Sequence, residues 1–469
     1  MAGIGFELER MFEQDTYSGD IAAYTSAGLI LAGSWVFGVM AIVVITIFQK
    51  SDLGHLDQSI FICMATYSYA GAMLITGGMN LPVTRYIADR LYMGRADAFG
   101  PTFASFCIIH WIVAFIVGGV FYGLNPLSVR MKIMGILLLA SSCQVWLAAA
   151  FIALLRVYGY TAFCFFVGYL VSTIGAVGLG RYFGLEGYMA GFTLGMSLLA
   201  VMLTGGLMVQ FSYPKVMNFE FFGTVRKRPA LYFIGLLIAI GTWGDKFLFW
   251  FSADHSFPAT PYLRFYPDYD ISFFLGYITG VPALAHFLLR IETSFARHVR
   301  HIYSALMDRE NYQEIHQGKI ALSRATNEDF VGLIKLQAPI ALLAIYFAPS
   351  LIDWLKLEPQ YVHIFQYTVL TIGGIILLQV QILYLLYFDL AGAALIPAAV
   401  YGVGNPLFTW MTIRWAPFGY WSYGLGHMLA AYLAFLSGYF VLNYNIKRLD
   451  YIVLTHFARQ TVQRARKAA

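Results

Sequence analysis

Asp245 and Lys246 stand side by side in TWGDKFLFW, residues 242–250, at the end of an apolar run that begins at Ala230. A charge inside such a run has work to do by default: it lines a polar passage, takes up a proton, or ties helices together. Counted from Ala230 at about 1.5 Å per residue, Asp245 lies about 22 Å along a helix. Adjacent helical residues point about 100° apart, so the two are not expected to neutralise each other. The long lysine stem can snorkel outward; the short aspartate cannot, and needs a partner or water. His427, in the last apolar run, comes to a similar depth and is one candidate partner. Two roles stay open for Asp245: lining a passage or coupling to protons, and a structural tie between helices.

Other polar groups lie near span ends. Lys335, followed by Gln337 and Pro339 in KLQAPI, sits about 8 Å inside its run, within reach of snorkelling. Arg290 and Glu292 in LLRIETSF are two residues apart, face different sides of a helix and imply separate partners near one mouth. Arg85 and Asp89 are spaced i, i+4 and can pair. Enzyme signatures are thin. Asp268-Tyr269-Asp270 is a lone D-x-D with no large domain beside it to hold a donor sugar. His298 and His301 lack a third ligand nearby, and no nucleotide-binding glycine-rich loop appears. No catalytic residue, metal or cofactor is assigned.

These groups are carried by membrane helices. The chain is 59% hydrophobic and 12% charged, about half the charge of a soluble domain. Twelve apolar windows are long enough to span a bilayer: roughly 20–48, 58–82, 99–124, 131–155, 157–180, 187–211, 230–253, 271–294, 330–355, 361–388, 391–413 and 420–445. Lipid leaves exposed backbone groups unsatisfied, so such spans are helices. With a cytoplasmic N-terminus, twenty of the thirty Lys and Arg fall on the cytoplasmic side and seven outside, which puts both termini in the cytoplasm. Cys63, Cys107, Cys143 and Cys164 each fall alone in a span and imply neither disulfide nor zinc. The acidic start MAGIGFELERMFEQD is not a cleavable signal.

The connection 212–229 divides two six-span halves, residues 1–211 and 230–446, and an even span count makes any repeat parallel. A polar insert at 297–329 is a candidate protein-binding site. Ile4, Leu8, Met11 and Phe12 form an amphipathic N-terminal stripe, and Leu449, Ile452, Val453 and Phe457 another in the basic tail 447–469, suited to anionic lipid. Pro397 and Pro406, with Gly402, Gly404 and Asn405, make the eleventh span a hinge candidate; Pro282 and Pro339 interrupt spans eight and nine. Tyrosines within spans (YSYAGAM, LYLLYF) offer the faces and hydroxyls a sugar passage uses, beside the ordinary interfacial belts.

The opening GIGFEL with AYTSAGLILAGSW, then TRYIADRLY, GDKFLFWFS, YDISFFLGY into FLLRIET, and LYFDLAGA resemble, in order, the Pel-type exopolysaccharide transporter (PelG) family. That resemblance implies the multidrug/oligosaccharidyl-lipid/polysaccharide (MOP) flippase superfamily: an all-α polytopic protein of two six-helix bundles around a central cavity. It also implies a Gram-negative inner membrane, a polymer of N-acetylgalactosamine-type sugar passed from a cytoplasmic PelF-like glycosyltransferase to the periplasm for the biofilm matrix, and PelD- and PelE-like companions. The insert 297–329 is where such contacts are expected. A multidrug or ion-coupled exporter of the same superfamily is the second reading; a membrane glycosyltransferase or a complex scaffold is a distant third.

Overall fold

The computed structural model describes residues 17–155, 158–210, 217–252, 256–290, 295–307, 311–415, 419–451 and 455. The N-terminal stripe at 4–12 and most of the tail stripe therefore lie outside the described residues. Helices α1 (Tyr17–Asp52), α2 (His55–Tyr92), α3 (Phe99–Leu124), α4 (Val129–Leu155) and α5 (Tyr158–Gln210) form one half. A short α6 (Phe221–Lys227) leads to the other: α7 (Pro229–Trp250), α8 (Pro267–Ile278), α9 (Val281–Arg290), α10 (Ala296–Met307), α11 (Tyr312–Trp354), α12 (Gln360–Tyr387), α13 (Ala391–Trp415) and α14 (Leu425–Lys447). A two-stranded hairpin, β1 (Phe257–Pro258) against β2 (Arg264–Phe265), caps the end of α7. We call this the hairpin end; the opposite, basic end carries Arg85, Arg90 and Arg228.

Ten helices among the described residues are long and apolar enough to cross a membrane, against twelve apolar windows in the sequence. Backbone chemistry explains the difference. α5 carries two windows, merged across Gly184, whose φ of 60° and ψ of −140° only glycine adopts readily. The eighth window is split into α8 and α9 at Thr279–Gly280, each too short alone. A Cβ on Gly280 would come within 2.3 Å of Ile372, so the break lets two backbones approach. Pro282 falls in the first turn of α9, where its missing N–H costs no helical bond. α11 departs from expectation in the other sense. Its 43 residues run unbroken through the boundary drawn at 329/330, so the second half of the insert continues the ninth span. At about 1.5 Å per residue it reaches about 65 Å, twice a bilayer's hydrocarbon. α10 folds back on it, burying Val299 and Ile302 beside Ile315 and Leu322.

The halves meet along two antiparallel pairs, α2 with α7 and α1 with α9. Glycine sets the first seam: a Cβ on Gly235 would lie 2.1 Å from the Gly77 carbonyl oxygen. Toward the hairpin end, Tyr67 stacks on Trp250 at 4.6 Å and its hydroxyl donates to the Arg264 carbonyl at 2.9 Å. Trp35 of α1 meets Tyr277 of α8 edge-on at 5.0 Å. One apolar core accordingly runs from the first half into Phe249, Tyr266 and Tyr423 of the second. At the basic end the seam is ionic, with Asp389 holding Arg228 at 2.6 Å and Arg85 at 3.6 Å. The connection between halves is pinned to the first: Tyr86 and Arg90 both donate to Glu220, and Asn218 donates to Tyr86 and Thr102.

Candidate functional site

Asp245 lies on the face of α7 that turns away from the seam, into the second half. Packing there is close because the sequence places small residues opposite large ones. A Cβ on Gly241 would sit 2.4 Å from the Tyr401 ring, and one on Gly244 would sit 2.6 Å from Pro406. This brings α13 against α7, and α14 against α13, where Gly426 meets Phe408 and Thr409. The carboxylate is 0% exposed and shared among four helices. Its Oδ2 accepts from the Tyr269 hydroxyl of α8 at 2.6 Å and lies 2.9 Å from His427 Nδ1 of α14. Its Oδ1 accepts from Asn405 Nδ2 of α13 at 3.1 Å. Asn405 also donates to the Gly241 carbonyl at 2.6 Å and accepts from Thr409 at 3.0 Å.

Lys246 is placed otherwise than the sequence suggested. It does not snorkel: it is 7% exposed, and its stem curls back so that Nζ donates to the Thr242 carbonyl at 3.0 Å and lies 3.5 Å from Asp245 Oδ2. The 100° offset is bridged because the flexible four-carbon stem reaches round the helix where Cβ directions alone would not. The Phe273 ring lies 3.4 Å from the ammonium and, on another side, stacks on His427 at 5.4 Å. Its face offers the cation a negative quadrupole in place of water.

The second ring nitrogen of His427, Nε2, lies 2.9 Å from the Tyr401 hydroxyl. A hydroxyl both donates and accepts. Neutral His427 can donate to Asp245 and accept from Tyr401; protonated, it can donate to both. Asp245, Lys246 and His427 are thus brought together; Tyr269, Tyr401, Asn405 and Thr409 complete the site and were not among the candidates. The signal available was the i, i+4 spacing of Asn405 and Thr409 in an apolar helix, both pointing one way.

Arg290 stands elsewhere, at the basic end. Its Nε donates at 2.9 Å to Asp329 of α11, which is 1% exposed and also accepts from the Tyr384 hydroxyl at 2.8 Å. Phe295 stacks on Tyr384 at 3.9 Å and covers the pair. Asp329 escaped the sequence reading because it looked like one more charge of the insert. Lys335 is exposed, while Gln337 is 7% exposed with neither amide atom hydrogen-bonded. Glu292 lies outside the described residues. Pro339 falls inside α11, and Pro397 and Pro406 inside an unbroken α13. The D-x-D carboxylates have separate partners: Asp268 accepts from Gln360 at 2.9 Å, and Asp270 from the Trp250 indole at 2.9 Å. Among the described residues no group of three or more His, Cys, Asp or Glu could hold a metal.

A family model of PelG exopolysaccharide exporters (EPS-E) matches residues 1–454. The chain belongs to that family. No curated protein matches it in sequence. Solved structures share the PelG-family chain's fold. An outward-facing multidrug resistance MATE transporter of the MOP superfamily is 11% identical, with a TM-score of 0.59 over 91% of this chain and 96% of that one. A variant of the Vibrio cholerae MATE transporter VcmN is 13% identical, with a TM-score of 0.60 over 91% and 98%. A MOP superfamily transporter from Pyrococcus furiosus is 10% identical, with a TM-score of 0.56 over 91% and 96%. At such identities the likeness is one of fold. This PelG-family protein is a multi-pass, all-α membrane protein of an exporter family, and its fold is that of the MOP superfamily transporters it is similar to.

Proposed function

We propose that the protein carries a neutral, N-acetylgalactosamine-rich polysaccharide of Pel type from cytoplasm to periplasm across the bacterial inner membrane, along the seam between its halves, to supply the biofilm matrix. The family match over residues 1–454 carries this reading. The chemistry of the seam supports it. Trp35, Trp243 and Tyr277 bring half-buried aromatic rings to it, and the C–H faces of sugar rings stack on such rings. Asp245 is turned into the second half, and the Lys246 ammonium is buried beside that carboxylate and against Trp243 and Phe273, so the two charges offset each other and a passage opened there presents no large fixed field to an uncharged chain. Both termini and the α10–α11 hairpin then face the cytoplasm, where PelD-, PelE- and PelF-like proteins would dock on the hairpin. The Asp245–His427 pair is the group through which a proton gradient would act on the halves; chain growth at the synthase is the other drive.

A cation-coupled multidrug exporter is the second reading, favoured by the MATE transporters that share the fold. The two separate in one experiment. Cells lacking the chain are complemented with it, and exported polymer and susceptibility to cationic dyes are measured together. Restored polymer with unchanged dye susceptibility supports the proposal. Dye resistance without restored polymer refutes it.

A further inference from the structure

The β1–β2 hairpin belongs to the second half by chain, but its tip is seated on the first. The tip is tied to itself. The Ala259 and Thr260 amides both donate to the Leu263 carbonyl, at 2.9 and 3.0 Å, and the Leu263 amide donates to the Thr260 hydroxyl at 2.9 Å. It can therefore move as one piece. Ala259 and Leu263 are buried in the apolar core built mostly from first-half residues. The Thr260 hydroxyl donates to Oδ1 of Asn125, the residue that ends α3, and the Asn125 amide donates to the Phe121 carbonyl at 2.9 Å. Beside it, the Tyr67 hydroxyl of α2 donates to the Arg264 carbonyl at 2.9 Å, and the Tyr67 ring stacks on both Phe121 at 5.4 Å and Trp250 at 4.6 Å.

The root of the hairpin stays with the second half. Tyr266 stacks on Phe249 at 5.6 Å, and its amide donates to Asp270 at 3.4 Å. Root and tip thus grip opposite halves across the hairpin end of the seam. The seated tip also carries a cost: Arg264 Nε is buried with no hydrogen-bond partner among the described residues. Water would relieve that cost once the tip lifts.

We propose that the β1–β2 hairpin is the gate at this end of the seam. Its tip, latched by Thr260 on Asn125 and by Tyr67 on the Arg264 carbonyl, closes the seam, and release of the tip from the first half opens it. This role rests on the seam being the route of the polymer. Each latch is one hydrogen bond, whose net effect on an equilibrium is on the order of tenfold. Such contacts break and remake in every cycle, whereas the close-packed glycine contact of Gly77 with Gly235 lies deeper in the seam.

Cys63 reports on the gate. It stands one turn before Tyr67 on the same face of α2 and is fully buried. Cys107, Cys143 and Cys164 are buried in α3, α4 and α5 and serve as internal references. The full-length protein in lipid nanodiscs is treated with a water-soluble maleimide, and the modification rate of each cysteine is read by mass spectrometry of its peptide. Thr260→Val keeps the shape and removes the donor; it should speed Cys63 about tenfold and leave the other three unchanged. Tyr67→Phe, which keeps both ring stacks and the turn at the tip, should do the same. Thr260→Ser keeps the hydroxyl and should match wild type. The proposal is overturned if Cys63 keeps its wild-type rate in either Thr260→Val or Tyr67→Phe, as under a static cap. It is equally overturned if all four cysteines speed up together, or if Thr260→Ser behaves like Thr260→Val. No polymer takes part, so this result and the export experiments fail independently.

Discussion

His427 Nδ1 and Asp245 Oδ2 lie 2.9 Å apart, buried at 1% and 0% exposure, though 182 residues separate them in the chain. The contact joins the first and last spans of the second half. With Tyr269 and Asn405 it ties one carboxylate of α7 to three other helices.

Asp245→Asn keeps the shape and removes the charge that compensates Lys246. Breaking one side of a buried ion pair costs about 3–5 kcal/mol, because the remaining charge stays buried and alone. The thermal midpoint of the purified protein should drop accordingly. Adding Lys246→Met should recover most of the loss, since both charges are then gone. A double change no more stable than Asp245→Asn alone would show that the pair is not coupled.

That site shows what a sequence discloses and what it withholds. Two adjacent charges at depth stand out because lipid forbids them, and His427 is rare enough in such a run to be paired by depth. Tyr269, Tyr401 and Asn405 do not stand out: tyrosine is everywhere in this chain, and Asn405 sits among Gly402, Gly404 and Pro406, where it reads as part of a hinge. Its role comes from Gly241 admitting α13 closely enough for the amide to reach both a carbonyl and a carboxylate. The fold was legible from apolar windows and charge bias. The joins were not: whether two windows fuse, as in α5, or one splits, as at Gly280, depends on packing partners far along the chain.

Gly235 should tolerate no side chain. Its Cβ would lie 2.1 Å from a backbone oxygen of Gly77, which cannot rotate aside. Gly235→Ala is expected to cost about 1–3 kcal/mol, the usual range for overpacking. Gly119 and Gly205, which face open space, are the controls and should change the thermal midpoint little.

Arg290 and Lys335 line one cavity with different consequences. Arg290→Ala leaves Asp329 buried with Tyr384 as its remaining donor, and should cost about 2–4 kcal/mol. Lys335→Ala removes an exposed side chain and should stay within about 0.5 kcal/mol. Equal effects in a denaturation series would show that the Asp329 pairing contributes nothing.

Asp450 carries a pH dependence. Burial raises its pKa, but Lys319 at 2.6 Å, the Tyr451 amide and His316 outweigh that and hold it below the ordinary carboxylate value. The folded form thus binds this proton less readily than the unfolded one. The contribution is fully present above the ordinary aspartate value of about 3.9 and is lost as pH falls through the lower folded value. Amide exchange at the end of α14, taken relative to the intrinsic rate at each pH, should be flat from pH 8 to about 5 and should rise in acid. Asp450→Asn should remove that rise.

The seam between the halves is the account's central element, and it can be locked. A Cβ on Gly77 would lie 3.0 Å from the Ala239 Cβ, below the roughly 3.5–4.5 Å of a disulfide, so a bond between these positions forms once the two backbones part slightly. Exported polymer is measured in cells carrying Gly77→Cys with Ala239→Cys, oxidised and then reduced, with each single change alongside. Polymer export should stop when the bond forms and return on reduction, at constant protein level. Undiminished export with the bond fully formed would contradict passage of the polysaccharide along this seam.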